Sequence, residues 1–169
     1  MQWAKMLGAR RIMTSSSDEK IARLKELGAD EGVNYRTNPD WSSEVLDLTN
    51  GEGADIILNN VGIEELENCL LGAASNGCIM HIGANPVVHD QGNSDPVVLS
   101  KLPNIIIKNL TIRGIIVGSR RMFVDLIQAM VTNDIKPVID RVFDWENIDD
   151  VIAYMKSGEK IGKIVIRVT

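Results

Sequence analysis

The sequence lacks most features that assign a function at once. No apolar run approaches the ~20 residues needed to cross a bilayer, so no membrane partner is expected. Lys and Arg total 18 against 23 Asp and Glu, a net charge of −5, with no basic cluster along one face. That excludes the electrostatic footprint of a nucleic-acid binder. Cysteine is scarce: Cys69 and Cys78 stand nine positions apart with no C-x-x-C, which excludes a disulfide framework and zinc-ligand spacing. Histidine is equally scarce, with His81 inside a strand pattern and His89 in a loop, so no Ser-His-acid or Cys-His arrangement forms. The N-terminal MQWAKMLGARR has no apolar core followed by a small-residue cleavage site, so no signal peptide is expected. Gly51-Glu52-Gly53 is the only G-x-G, and it precedes a strand instead of following one. It therefore reads as a turn, not a pyrophosphate fingerprint. What remains is 169 residues, 44% hydrophobic and 24% charged. Those values fit one soluble, cytoplasmic α/β domain, or one plus part of another.

The pattern alternates. Gln2 to Gly8 reads as the end of a helix, and Arg11 to Thr14 as a short strand. Ser16 and Glu19 form a capping-box pattern opening a helix with Ile21, Leu24 and Leu27 inward and Gly28 as its stop. A strand over Gly32 to Tyr35 follows. Asn38-Pro39 then opens a helix lined by Trp41, Val45 and Leu48. Asp55 to Asn60 has an apolar centre that predicts burial on both faces. Leu66, Cys69, Leu70 and Ala73 share a helical face. Cys78 to Ile82 is a strand, Ala84 to Asp95 a loop, and Leu110 to Val117 a strand. This order predicts a Rossmann-like, doubly wound parallel sheet with right-handed crossovers. Past Ser119 the pattern changes to helix, strand (Val138 to Phe143), helix and strand (Ile161 to Val168). The expected division is therefore 1–119 and 120–169.

Seven stretches carry a resemblance: AKMLGARRIMTSSSDEKIARLKELGAD, NYR, DLTNGEGADIILNNVG, IMHIGA, LTIRGIIVGSR, KPVIDRVF and SGEKIGKIVIRV. In that order and spacing they resemble the C-terminal half of the medium-chain dehydrogenases/reductases, of the zinc-type alcohol dehydrogenase and quinone oxidoreductase kind. The resemblance implies a dinucleotide-binding domain without its first strand and Gly-rich turn, then a segment returning to a catalytic domain. It implies hydride transfer between a nicotinamide cofactor and an alcohol/carbonyl or a quinone/enone. Any zinc, and the catalytic residues, would belong to the catalytic domain outside this sequence. The layout further implies a homodimer joined through Leu110 to Val117.

The resemblance also places the cofactor. An acid at the tip of the second strand selects NAD by accepting from the ribose hydroxyls and repelling a 2′-phosphate. Here the matching residue is Ser15, beside Ser16. Lys20 and Tyr35 match positions that reach the adenosine ribose or its phosphate. Together they favour NADP over NAD. The plainer reading is that these serines cap a helix and Lys20 is solvated. Val61 and Gly62, Ile82 and Gly83, and Ile116, Val117 and Gly118 end three strands in small turns matching the nicotinamide half of the site. Read without the resemblance, they are ordinary strand-to-loop punctuation. Lys163 aligns near a phosphate-reaching position, and Cys69 reads as a core thiol.

Two rivals remain. One is a catalytically incompetent nucleotide-binding or dimerisation fragment. The other is a doubly wound methyltransferase, which leaves Lys136 to Thr169 unexplained. Without a central first strand, Arg11 to Thr14 and Asp55 to Asn60 would each lose a neighbour. Each core side chain so exposed costs ~1.5–3 kcal/mol, against ~5–15 kcal/mol holding a whole domain. The chain alone is thus expected to be inactive, and to be unstable, swap a strand or close the gap.

Overall fold

A computed structural model describes residues 1–83 and 100–168; the loop expected over Ala84 to Asp95 and the residue His89 lie outside them. Among the described residues the elements run α1 (Gln2–Met6), β1 (Ile12–Ser15), α2 (Asp18–Glu26), β2 (Glu31–Asn34), α3 (Trp41–Leu48) and β3 (Ala54–Asn59). After a 3-10 turn at Ile63–Glu65 come α4 (Leu66–Gly72), β4 (Ala73–His81), α5 (Pro103–Ile107) and β5 (Thr111–Gly114). The chain closes with α6 (Arg120–Thr132), β6 (Ile139–Asp144), a 3-10 turn at Trp145–Asn147, α7 (Ile148–Ser157) and β7 (Lys163–Arg167).

The strands fall into three sheets, β1-β2, β3-β4-β5 and β6-β7. The last two are parallel throughout. In the first, Glu31 N donates to Arg11 O and Tyr35 N to Ser15 O. Those bonds advance together along both strands, which is the parallel sense. The architecture is α/β with parallel strands, as the alternation predicts, but β1-β2 and β3-β4-β5 are hydrogen-bonded as separate sheets.

Two compact units result: residues 1–13, 17–32 and 119–169 form the first, and 14–16 with 33–118 the second. In the first, Arg11 grips Asp30 and Gln2 Nε2 donates to Lys136 O at 2.7 Å. Arg141 stacks 4.1 Å over the Tyr154 ring, whose hydroxyl donates to Asp140. The second unit holds most of the core: Val33, Trp41, Val45, Leu66, Cys69, Leu70 and Ile79 are buried. The buried Trp41 indole donates to Glu65 Oε2 at 2.8 Å, which satisfies its one polar group.

Three local expectations need correction. The α2 cap is Ser17, not Ser16: its hydroxyl accepts from Lys20 N. Ser17 holds the extended backbone (φ −153, ψ 151) that a capping residue needs. That puts Lys20, not Glu19, three residues into the helix, so no reciprocal capping box forms. The α3 cap is Asp40, not Asn38, and its Oδ1 accepts from Ser43 N. Finally, β3 is not buried on both faces. Ile56 and Leu58, two residues apart, are 64% and 58% exposed. An apolar run shows that a strand wants cover; which faces receive it depends on distant elements.

Candidate functional site

Since β3, β4 and β5 are parallel neighbours, their carboxyl ends lie at one end of one sheet within the second unit. This brings together three of the expected turns: Val61 with Gly62 after β3, Ile82 with Gly83 after β4, and Ile116 to Gly118 after β5. The side chains of Val61, Ile82, Ile116 and Val117 are exposed there. Open α/β sheets bind ligands at the carboxyl ends of their strands.

Two close approaches shape this end. Ile82 N and Gly83 N both donate to Asn59 O, at 2.9 and 3.0 Å. A Cβ on Gly83 would lie 2.3 Å from Asn60 O, so only glycine fits. Ile115 N donates to His81 O at 3.0 Å, carrying the chain after β5 alongside β4.

Asn59 anchors the first turn, a role that sequence reasoning missed. It is buried, 4% exposed. Its Oδ1 accepts from Val61 N at 3.0 Å and Gly62 N at 3.2 Å, while its Nδ2 donates to Gly62 O at 2.8 Å. Nδ2 also lies 3.3 Å from His81 Nδ1. The available hint was a polar residue closing an apolar run just before a Val-Gly turn.

At the other expected region, Ser15 ends β1 and its carbonyl accepts from the N–H of Tyr35. Ser15, Ser16 and Tyr35 belong to the second unit, and the Tyr35 ring is exposed. The turn beyond is built on Asn34: its Oδ1 accepts from Arg36 N, and its carbonyl from Thr37 Oγ1 and Asn38 N. Lys20 belongs to the first unit, where its ammonium donates to the carbonyl of Gly158. Lys163, also in that unit, opens β7 exposed, with its N–H on Val138 O.

The cysteines are free. Cys69 is 2% exposed, and burial, with the nearby Glu65 charge adding to it, pushes its thiol up to about 12. A thiol so raised stays protonated and is inert as a nucleophile or metal ligand. Among the described residues no group of three or more His, Cys, Asp or Glu side chains could hold a metal ion. No helix among the described residues is long and apolar enough to cross a membrane.

The family model described as zinc-binding dehydrogenase matches residues 1–132. A zinc-type alcohol dehydrogenase-like protein of Schizosaccharomyces pombe is 36% identical over 168 residues, covering 99% of this chain and 47% of that protein. Among solved structures, a candidate alcohol dehydrogenase of Sinorhizobium meliloti 1021 is 38% identical with a TM-score of 0.81, covering 98% of this chain and 46% of its own. An NAD-dependent alcohol dehydrogenase is 32% identical with the same TM-score of 0.81, covering 99% and 46%. The chain thus spans about half the length of each of these three relatives.

Proposed function

The chain belongs to the zinc-binding dehydrogenase family, and from that premise we propose that it is the nicotinamide-dinucleotide-binding portion of an oxidoreductase. The observation that carries this reading is the row of small and apolar turns at the carboxyl ends of β3, β4 and β5. Backbone at Val61 and Gly62, Ile82 and Gly83, and Ile116 to Gly118 would line the nicotinamide half. Their exposed side chains would cover an apolar ring that water solvates poorly. When bound, the cofactor supplies hydride exchange with an alcohol/carbonyl or a quinone/enone substrate. The residues here bind and orient it, and we assign no catalytic residue to this chain.

At the ribose end we propose Ser15, Ser16 and Tyr35, and a preference for NADP. A serine there leaves room for a 2′-phosphate and can donate to it, whereas an acid would repel it. The outer edge of β5 pairs with no strand among the described residues. That edge supports our further reading of a homodimer joined through Leu110 to Val117.

Titration with NADPH and NADH tests this reading. The expected result is NADPH binding at least about tenfold tighter, a difference of roughly 1.4 kcal/mol. Ser15→Asp should invert the order. Tighter NADH binding by the unaltered chain would remove the NADP preference. Binding of neither would remove the cofactor reading and leave a dimerisation fragment.

A further inference from the structure

We propose that Asn59 is the positioning residue for the nicotinamide-end turn, and that the protonation state of His81 decides whether it holds that turn. This rests on the reading that the Val61-Gly62 turn meets the nicotinamide half.

The Asn59 amide has four partners. Two backbone N–H groups, of Val61 and Gly62, point at Oδ1. Only oxygen can accept them, so the orientation of the amide is fixed by its surroundings. Nδ2 then has two hydrogens: one goes to Gly62 O, and the other is available to His81 Nδ1. Every bonding position of this buried amide is used. The last bond requires Nδ1 of His81 to be an acceptor, which sets the neutral ring as the Nε2–H tautomer.

Protonation puts hydrogens on both ring nitrogens. Nδ1–H would then face N–H of Asn59 with nothing to accept. The amide cannot rotate to offer its oxygen without orphaning the N–H groups of Val61 and Gly62. Either the ring or the turn must move, and the turn is three residues long with Asn59 as its only side-chain anchor among the described residues.

The sheet register isolates this pair. Asn59, His81 and Gly114 lie abreast on β3, β4 and β5, so the third member of the row has no side chain. Titratable groups on the adjoining elements are Asp55 of β3, Glu64 and Glu65 of the 3-10 turn after Gly62, Glu67 and Cys69 of α4, Cys78 of β4, Arg113 of β5, and Lys108, which reaches the start of β4. Glu67 is taken by Ser100 Oγ and Lys101 N. None of these groups hydrogen-bonds or ion-pairs with His81 among the described residues.

The test compares NADPH with 2′-phospho-ADP-ribose, which carries the adenosine end and the same pyrophosphate diester but no nicotinamide, on the full chain between about pH 5.5 and 8, where imidazoles change charge. The ratio of the two affinities cancels the titration of their shared 2′-phosphate. For the unaltered protein the NADPH advantage should fall at least about fivefold at the acid end, the worth of one ordinary hydrogen bond. Asn59→Asp keeps an oxygen to accept from Val61 N and Gly62 N, loses the bond to Gly62 O, and gives a protonated His81 an acceptor, so its NADPH advantage should rise as pH falls. His81→Gln should flatten the profile. A ratio independent of pH in the unaltered protein, or the same slope in all three proteins, overturns the proposal. If the unaltered chain binds 2′-phospho-ADP-ribose but Asn59→Asp changes nothing for NADPH, positioning by Asn59 is overturned while the cofactor reading stands. If neither probe binds, both fall.

Discussion

Arg11 holds Asp30 by three bonds at once. Its Nε and its backbone N–H both donate to Oδ2, at 2.8 and 2.7 Å, and a second guanidinium nitrogen reaches Oδ1 at 2.6 Å. Arg11 directly precedes β1 and Asp30 directly precedes β2, so one carboxylate sets where both strands begin. Two parallel N–H bonds in a rigid plane make this the directional form of ion pair.

Acid should release this clasp. The Arg11 side chain and then its backbone N–H hold the Asp30 carboxyl down at about 2, against an ordinary 3.8. A carboxyl whose folded pKa is depressed stabilises the folded state above its unfolded pKa. That contribution is lost as pH falls through the folded value. The denaturation midpoint should therefore drop between about pH 4 and pH 2, and Asp30→Asn should flatten that part of the curve. Urea melts at several pH values decide it; an unchanged slope in Asp30→Asn would show that other carboxyls carry the acid sensitivity.

Lys108 performs a similar service in the second unit. Its ammonium donates to the carbonyls of Leu70, Leu71 and Ala73, at 3.2, 2.6 and 2.8 Å. These close α4 and open β4, where a helix end leaves acceptors unpaired. Burial lowers the Lys108 pKa. Lys108→Met keeps the stem and removes every donor, so it should cost ~2 kcal/mol. Lys108→Arg should not restore the loss, because a planar fork cannot converge on three acceptors as a rotating ammonium does. Full recovery with arginine would mean that charge alone matters.

Particular residues show what could be read from sequence and what could not. Hydrophobic spacing located α3 and α4 because their buried faces are made of residues three and four apart, Trp41 with Val45 and Leu66 with Cys69 and Leu70. The caps slipped by one or two residues. Ser15 to Ser17 offer three equivalent hydroxyls in a row, and only backbone geometry selects Ser17. Asn38-Pro39 and Asp40 compete in the same way, and Asp40 wins by accepting from both the N–H and the hydroxyl of Ser43. The turns at Val61, Gly83 and Val117 were legible as strand ends, yet their arrival at one end of one sheet depends on the pairing of β3, β4 and β5. Asn59 and His81, 22 positions apart in the chain, meet only through that register.

The exposed face of β3 gives the last prediction. Ile56 and Leu58 lie on that face, and the strand pairs with β4 alone among the described residues. An apolar edge strand with unpaired N–H and C=O groups is a template for another chain, and lysine is the usual way of blunting it. The double substitution Ile56→Lys and Leu58→Lys should change stability by less than ~0.5 kcal/mol, as for other surface positions. It should also reduce concentration-dependent association in sedimentation velocity. The two readouts separate exposure from burial. Charges placed on a covered face would instead cost several kcal/mol, so a strongly destabilised double mutant would show that a partner already occupies this face. A stable double mutant that associates as before would move the contact elsewhere, with the outer edge of β5 the next strand to charge.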